Sequence, residues 1–284
     1  MVSNGCVIAR PPRLLFVFLA AALAPLALAQ QAPAPPPAPT AAESAAEREL
    51  GRLLNKERAR AGVAELELDP KLVEAARIHA RRMAERHALS HQFAGEPDLR
   101  LRLAAVGLRF DNAGENIALD DDAASAHQDF LVSVHHRENM LSPNYNVMGI
   151  GIVQRDGQLY VAEDFAYRTR EYSAEEAENV VAAAYLAFRG GKEGDGAPQR
   201  LAEPLLRKRA CAMAQADKVS SSDFEGLEGT RSLVSYNEGR PERLPPQLTD
   251  PARGGSARAF AVGACFARTR SHPEGIYWIQ VALY

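Results

Sequence analysis

The sequence predicts a mixed α+β protein built as two related halves, and three observations carry that reading. Apolar residues recur at helical spacing in Ala-rich segments, with Leu72, Ala76, Ala80 and Met83 forming one stripe. The strand-like runs Val147–Ile152 and Leu159–Ala166 flank a turn at Asp156-Gly157. A shift of 134 residues places Asp69-Pro70 on Glu203-Pro204, Gly62 on Gly196, and Leu72, Ala76 and Ala80 on Leu206, Ala210 and Ala214. An internal repeat of this length points to duplication, with chance likeness between Ala-rich helices as the competing reading.

The N-terminus stands apart from both halves. Arg10 and Arg13 precede an apolar run from Leu14 to Leu28, and Ala27-Leu28-Ala29 ends it with small residues. This is the pattern of a secretory signal peptide over residues 1–29, so a secreted or periplasmic location is expected. The run contains Pro25 and falls short of the ~20 residues that span a bilayer. An uncleaved anchor is the alternative. Residues 30–44 are assigned to a linker whose Ala/Pro run ends near Thr40, where Pro blocks helix and sheet hydrogen bonding. Residues 45–170 then form a first domain and 171–284 a second, as a chain of 284 residues allows. Cleavage removes Arg10 and Arg13 and moves the net charge from −3 to about −5, which gives nucleic-acid binding no electrostatic support. It also removes Cys6. Cys211 and Cys265 remain, most simply as a disulfide in an oxidising compartment, otherwise as two buried thiols.

Local signals place the helices. Thr40-x-x-Glu43 is a capping box for a helix through about Arg60, stopped near Gly62. Asp69-Pro70 starts the striped helix, which runs to about His87. Shorter helices are expected over Leu99–Val106 and Ala123–Val134. Ser173-x-x-Glu176 is a second capping box, opening a helix to about Phe188, after which Gly190, Gly191, Gly194 and Gly196 cluster. Val262-Gly263-Ala264 and Gly275–Val281 read like the closing strands of the first half.

Chemistry concentrates between Ser90 and Leu141. Ser90-His91, Ala113-Gly114-Glu115-Asn116-Ile117 and the run Ser133–Leu141 bring two histidines and a carboxylate from separate segments. His91, Glu115 and His136 are therefore a candidate metal or acid/base site. Glu115 is placed in a loop that Gly114 lets turn tightly, and it has a second reading as a loop-fixing acceptor. Asn116 and Asn139 read as backbone ties. Competing motifs are weaker. His87 and His91 share helix spacing, but Ala88-Leu89-Ser90 lacks the glutamate of a zinc protease. A Ser133/His136/Glu115 hydrolase lacks a nucleophile elbow. His135 is expected to be exposed, His79 to be a packed core histidine, and His127 and His272 to lie at the surface. Asp120-Asp121-Asp122 suits a helix N-cap better than a calcium loop.

In order and wording these motifs resemble the CAP superfamily, which includes cysteine-rich secretory proteins, antigen 5 and pathogenesis-related proteins, in its bacterial, cysteine-poor branch. The resemblance spans about Glu47 to Arg170, with Asn55, Arg58, Gly62, Leu68-Asp69, Ala76, Ala80 and Met83 as framework. It implies an α/β/α sandwich with a small, mainly antiparallel sheet, and a central cleft holding two histidines and two acids. His91 and Glu115 fall on the Ser-His and Gly-Glu-Asn motifs, and His136 on Ser-x-x-His-Arg-x-Asn-x-Leu. Ser133 stands where the second acid would fall and Phe130 where a tryptophan is usual. The His-Tyr-Thr-Gln segment of animal members is absent, with Asn144-Tyr145-Asn146 near its place. The resemblance thus implies a cleft of His91, Glu115 and His136, with Ser133 alongside, in an exported module that binds a small apolar ligand, such as a lipid, or an envelope component. A divalent metal, zinc by its ligand preference, is expected to bridge His91 and His136. The alternative is a metal-dependent hydrolase of peptide, ester or peptidoglycan with Glu115 as general base. In the second half Glu225 falls on His91 and no Gly-Glu-Asn recurs, so a copy there would lack the site.

Overall fold

The computed structural model describes residues 38–190, 197–220, 224–250 and 257–284. The expected signal peptide, most of the Ala/Pro run and the glycines from 191 to 196 lie outside the described residues. The first helix, α1 (Ala41–Arg60), opens with both bonds of the expected capping box. Thr40 Oγ1 accepts from the Glu43 N–H at 3.2 Å, and the Glu43 carboxylate accepts from the Thr40 N–H at 2.7 Å. Residues 41–44 therefore belong to the helix rather than to the linker expected up to 44. A two-residue strand, β1 (Glu67–Leu68), leads into α2 (Pro70–Arg86). Asp69 caps α2 through the Lys71 N–H at 2.9 Å, and His87 closes it in the left-handed conformation at φ 48°. There follow α3 (Leu99–Ala105), β2 (Phe110–Asp120), α4 (Ala123–Val132), α5 (Val134–Leu141), β3 (Val147–Arg155) and β4 (Gln158–Arg168).

Two expectations are corrected here. Gly114 and Glu115 lie within β2, not in a loop: alternate residues such as Ile117 and Leu119 belong to the apolar cluster under α2, which keeps the segment extended. The helix expected over Ala123–Val134 ends at Val132. Ser133 takes an extended conformation, and α5 starts anew, so His136 sits inside a helix rather than after one.

The four strands are ordered β1-β3-β4-β2, with β1 parallel to β3 and the other pairs antiparallel. Leu50 and Leu54 of α1, Phe130 of α4 and Met140 of α5 pack with Ile150, Val161 and Phe165 on one face. The stripe of α2 covers the other face, completing three layers. A Cβ on Gly149 would strike the backbone of Leu72 and Val73, and one on Gly151 that of Ala76 and Arg77. The glycines let helix and sheet touch directly. Beyond β1, the open edge of β3 is satisfied by α1: Glu47 accepts from the Ile152 N–H at 3.3 Å and Glu43 from the Gln154 N–H at 2.9 Å.

The second half comprises α6 (Ala174–Phe188), β5 (Gln199–Arg200), α7 (Pro204–Ala216), β6 (Ser232–Glu238), α8 (Pro246–Thr249), β7 (Ala259–Ala267) and β8 (Ile276–Leu283). Its sheet is ordered β5-β7-β8-β6, again with one parallel edge pair, so it repeats the topology of the first. The details repeat as well. Gly263 meets the Leu206 and Arg207 backbone as Gly149 meets Leu72 and Val73. Glu178 accepts from the Ala264 N–H at 3.1 Å and pairs with Arg207, as Glu47 does with Ile152 and Arg77. However, α7 is a turn shorter than α2, although it too closes in the left-handed conformation, at Asp217. The turn at Phe93-Ala94-Gly95 therefore recurs at Phe224-Glu225-Gly226, whose glycines both have positive φ. Glu225 thus corresponds to Ala94 and not to His91; the matching position falls on residues 221–223, outside the described residues.

Cys211 and Cys265 are bonded, across a sequence separation of 54 residues. The bridge joins α7 to β7, the same helix and strand that Gly263 brings into backbone contact. Loop closure of this length is worth about 4 kcal/mol. The Cys211→Ser/Cys265→Ser chain should lose about that much unfolding free energy in urea; a loss under about 1 kcal/mol would contradict an entropic tether.

The halves meet within one compact unit, Ala38–Tyr284. Buried Arg109 donates to the Tyr277 hydroxyl at 2.8 Å and lies 3.6 Å from the Phe266 ring centroid. Arg100 pairs with buried Glu274, and Arg268 donates to the carbonyls of Ala104, Gly107 and Leu108, each at 3.4 Å.

Candidate functional site

Glu115 stands in mid-β2 directly opposite Asp164 of β4, on the face that α2 covers. A Cβ on Gly114 would meet the Tyr145 hydroxyl, with Asn139 Oδ1 3.0 Å away, so glycine is required by packing rather than by a turn. His91 lies in the loop after α2 and places Nδ1 2.8 Å from Glu115 Oε1. Its side chain is 59 % exposed while that of Glu115 is 4 % exposed. Because a carboxylate accepts, Nδ1 carries the hydrogen and Nε2 is left at the exposed side. Arg102 of α3 closes the other side: one Nη pairs with Glu115 Oε2 and the other donates to the His91 carbonyl at 2.8 Å. Glu115 is thus held between an imidazole and a guanidinium.

A second buried group supports the His91 loop. His79, fully buried on α2, faces Glu96 Oε1 through Nδ1 and the Ser90 carbonyl through Nε2, both at 2.9 Å. Both partners are acceptors, so whichever ring nitrogen carries hydrogen has a partner to donate to. Glu96 also accepts from Arg82 at 2.8 Å and from the Phe93 N–H at 3.1 Å. Burial pushes its carboxyl upward, but these donors and His79 outweigh it and hold it at about 2. The expectation for His79 as a hydrogen-bonded core histidine holds.

Asp164 and Glu163 are neighbours on β4 and so face opposite sides of the sheet. Asp164 is buried beside Glu115, with neither oxygen in a hydrogen bond. Burial, and then the charge of Glu115, raise it well above the usual carboxylate range. Glu163 accepts from Asn116 Nδ2 at 3.2 Å, and burial pushes it up to about 8. On that side Asn116 also donates to the His136 carbonyl at 3.1 Å, and Asn139 donates to the Glu115 carbonyl at 3.2 Å and to Asn116 Oδ1 at 3.0 Å. The two asparagines tie α5 to β2, the role expected of them. The half-buried His136 ring meets Phe130 edge-on at 5.2 Å between centroids. Burial, then the nearby charge of His91, lower its affinity for a proton. So His91 and Glu115 are in contact and His136 is within electrostatic reach. Ser133 precedes α5 without capping it and has no hydrogen bond to the other three.

The donor set was tested against the expected zinc. Both Glu115 oxygens are engaged, and Arg102 already supplies the cleft's positive charge. Among the described residues no group of three or more His, Cys, Asp or Glu is arranged to hold a metal ion. His91 and His136 offer two imidazoles, short of the three protein ligands of a catalytic zinc site.

Other histidines divide. His135 is exposed, as expected. His127, expected at the surface, is buried under α1 with neither nitrogen hydrogen-bonded, and burial lowers its affinity for a proton. His272 is half-buried against the Trp278 ring, packing that no motif announced. Asp122 caps α4 through the Ser125 N–H at 2.8 Å. Sequence reasoning missed Arg102, Glu96 and Asp164. Glu163-Asp164 inside an otherwise apolar strand was a usable signal, since adjacent strand residues cannot both face solvent on a covered sheet. In the second half the whole network is gone: sheet register, matched at the parallel edge pairs, puts Leu233 at Glu115, Ala282 at Asp164 and Val281 at Glu163. Matching the left-handed helix ends and the following turns puts Arg209 at His79 and Leu227 at Glu96.

Residues 52–167 match the model of the cysteine-rich secretory protein family, CAP. The chain is 31 % identical over 118 residues to the uncharacterized protein YkwD of Bacillus subtilis, covering 39 % of this chain and 44 % of that one. It thus spans less than half the length of this relative. An extracellular protein containing an SCP domain from Bacillus anthracis aligns at 27 % identity with a TM-score of 0.42, over 44 % of this chain and 41 % of that one. The structure of Na-ASP-1 aligns at 8 % identity with a TM-score of 0.50, over 84 % of this chain and 89 % of that one, so fold likeness extends across both halves. Among the described residues no helix is long and apolar enough to cross a membrane.

Proposed function

We propose that this chain is an exported binding protein whose CAP domain holds a small apolar ligand or an envelope component, and that it is not an enzyme. The observation that carries this reading is the state of Glu115. A general base needs a carboxylate oxygen free to take a proton, whereas both oxygens here are engaged in a buried pair. What the cleft offers is a fixed, charged floor with an exposed imidazole above it, which suits recognition. An apolar ligand has a seat at the opposite edge of the sheet. There a cavity of about 480 Å³ is lined by Leu66, Leu68, Val73, Met148 and Ile150, together with the charged Glu47, Arg48, Arg52 and Arg77, between α1 and α2. Export rests on the signal-peptide pattern.

The test is titration of the full chain with a fluorescent long-chain fatty acid. Filling the cavity with Met148→Trp should weaken binding by about tenfold or more, while His91→Ala leaves it unchanged. Zinc titration of the wild type against His91→Ala and His136→Ala checks the metal reading separately. Turnover of peptide, ester or peptidoglycan substrates that vanished in Glu115→Gln would overturn the non-enzymatic reading.

A further inference from the structure

We propose that the seam between the two halves is a binding site for an acidic, hydroxyl-rich polysaccharide, with arginines 170, 240 and 243 as the recognition residues. This goes beyond the CAP-domain reading and uses neither the His91–Glu115–Arg102 cluster nor the cavity between α1 and α2.

Two cavities, of about 380 and 250 Å³, lie along this seam, and Tyr167 of β4 and Arg240 line both. The chain after β6 builds them. Glu238 accepts from the Gly239 N–H at 2.9 Å, folding the turn back on itself. Gly239 then packs so closely on β2 that an added Cβ would lie 3.3 Å from Asp111 Oδ1. Asp111 Oδ2 lies 3.1 Å from Arg240 Nε and 2.7 Å from Arg243 Nη1, which fixes two guanidinium groups in place. Arg240 also lies over the Tyr167 ring, 4.3 Å from its centroid, and Arg170 lies 5.2 Å from that of Tyr172. Each half supplies part of the wall, so neither cavity exists in one half alone.

The chemistry of the lining names the ligand class. A guanidinium carries five N–H donors, and Asp111, with Glu238 3.9 Å from Arg243, cannot absorb all those of Arg240 and Arg243. Asn112 spends its carbonyl on the Ala113 N–H at 3.0 Å and keeps its amide hydrogens to donate. The larger cavity therefore has donors in excess of acceptors, which calls for carboxylate and hydroxyl oxygens on the ligand. In the smaller cavity Arg168 is taken up by Glu67 and Asp69, leaving Arg170 and Arg240 against Glu242. Two cavities in series favour an oligomer over a single sugar. The chain as a whole is net negative, so attraction of a polyanion has to be local to such a site.

The experiment is calorimetric titration of the full chain with hexagalacturonate, a uronic-acid oligomer, and with maltohexaose, its neutral counterpart, at low ionic strength. Hexagalacturonate should bind, with affinity falling as salt is added, and maltohexaose should not. Arg243 is 48 % exposed and Arg170 is exposed too, so substituting them spares the core. Arg170→Ala and Arg243→Ala should each weaken binding by about fivefold, and the double variant by about thirtyfold, with unchanged thermal unfolding. His91→Ala should leave it intact. No hexagalacturonate binding by the wild type, equal binding of maltohexaose, or full binding by the double variant would each overturn the assignment.

Discussion

Glu115→Ala should lower the unfolding free energy by about 3–5 kcal/mol, because it strands a buried guanidinium. Arg102 is buried, and its Nε has no hydrogen-bond partner even in the native chain. What remains to it is the bond to the His91 carbonyl and Glu96, 3.8 Å away and already taken by Arg82 and His79. The loss should be smaller than for an isolated pair if Asp164 takes over as counter-ion, since removing Glu115 also removes the charge that helps keep Asp164 neutral. Two comparisons separate these terms in urea unfolding. In an Asp164→Asn background the Glu115→Ala cost should rise. In the Glu115→Ala/Arg102→Met chain most of the stability should return, because no unpaired charge is left buried. If Glu115→Ala cost under about 1 kcal/mol in both backgrounds, the pair would not be a structural element of the cleft.

Gly149→Ala should cost about 3 kcal/mol, the upper end of the range for overpacking, and Gly263→Ala should do the same in the second half. In both cases the new methyl meets helix backbone and not a side-chain tip, so relief requires lifting a helix from its sheet. Gly51→Ala is the contrasting case. Its Cβ would lie 3.2 Å from Met148 Cε and 3.4 Å from Ile150 Cδ1, ends of flexible side chains, and it sits inside α1. Alanine there gains about 1 kcal/mol of helix propensity, so the net change should be near zero or stabilising. Thermal unfolding of the three variants decides. Equal destabilisation by Gly51→Ala and Gly149→Ala would mean that the helix–sheet distance is not the controlling feature.

Local chemistry explains why much of the fold was legible. Thr40/Glu43, Ser173/Glu176 and Asp69-Pro70 write helix starts into a few residues, and Asp156-Gly157 writes a hairpin. Strand β2 was not legible, because Asp111, Asn112, Gly114, Glu115 and Asn116 interrupt its apolar pattern with residues whose partners lie on α3, α5 and the far half. The break at Ser133 was hidden for a related reason, since no cap or proline marks it. In the site, the motifs singled out His91 and Glu115 correctly as neighbours. Arg102 was invisible as a member because a lone arginine in a short helix reads as a solvated charge, and only the fold brings it against Glu115. The second half reads as a copy at its helix start and glycine contact, where packing is conserved in kind, and drifts where α7 loses a turn.

The placement of Arg109 has a consequence for the order of assembly during synthesis. This residue opens the segment that leads through β2 to Glu115, and the rings that shelter its charge, Phe266 and Tyr277, belong to the last two strands of the fold. As the chain emerges from N- to C-terminus, the first half finishes translation with that guanidinium, and the carbonyls after α3 that Arg268 serves, still without their covers. The half that bears the candidate site therefore keeps this charge uncovered until β7 and β8 arrive, so the site-free half supplies the last cover of the other.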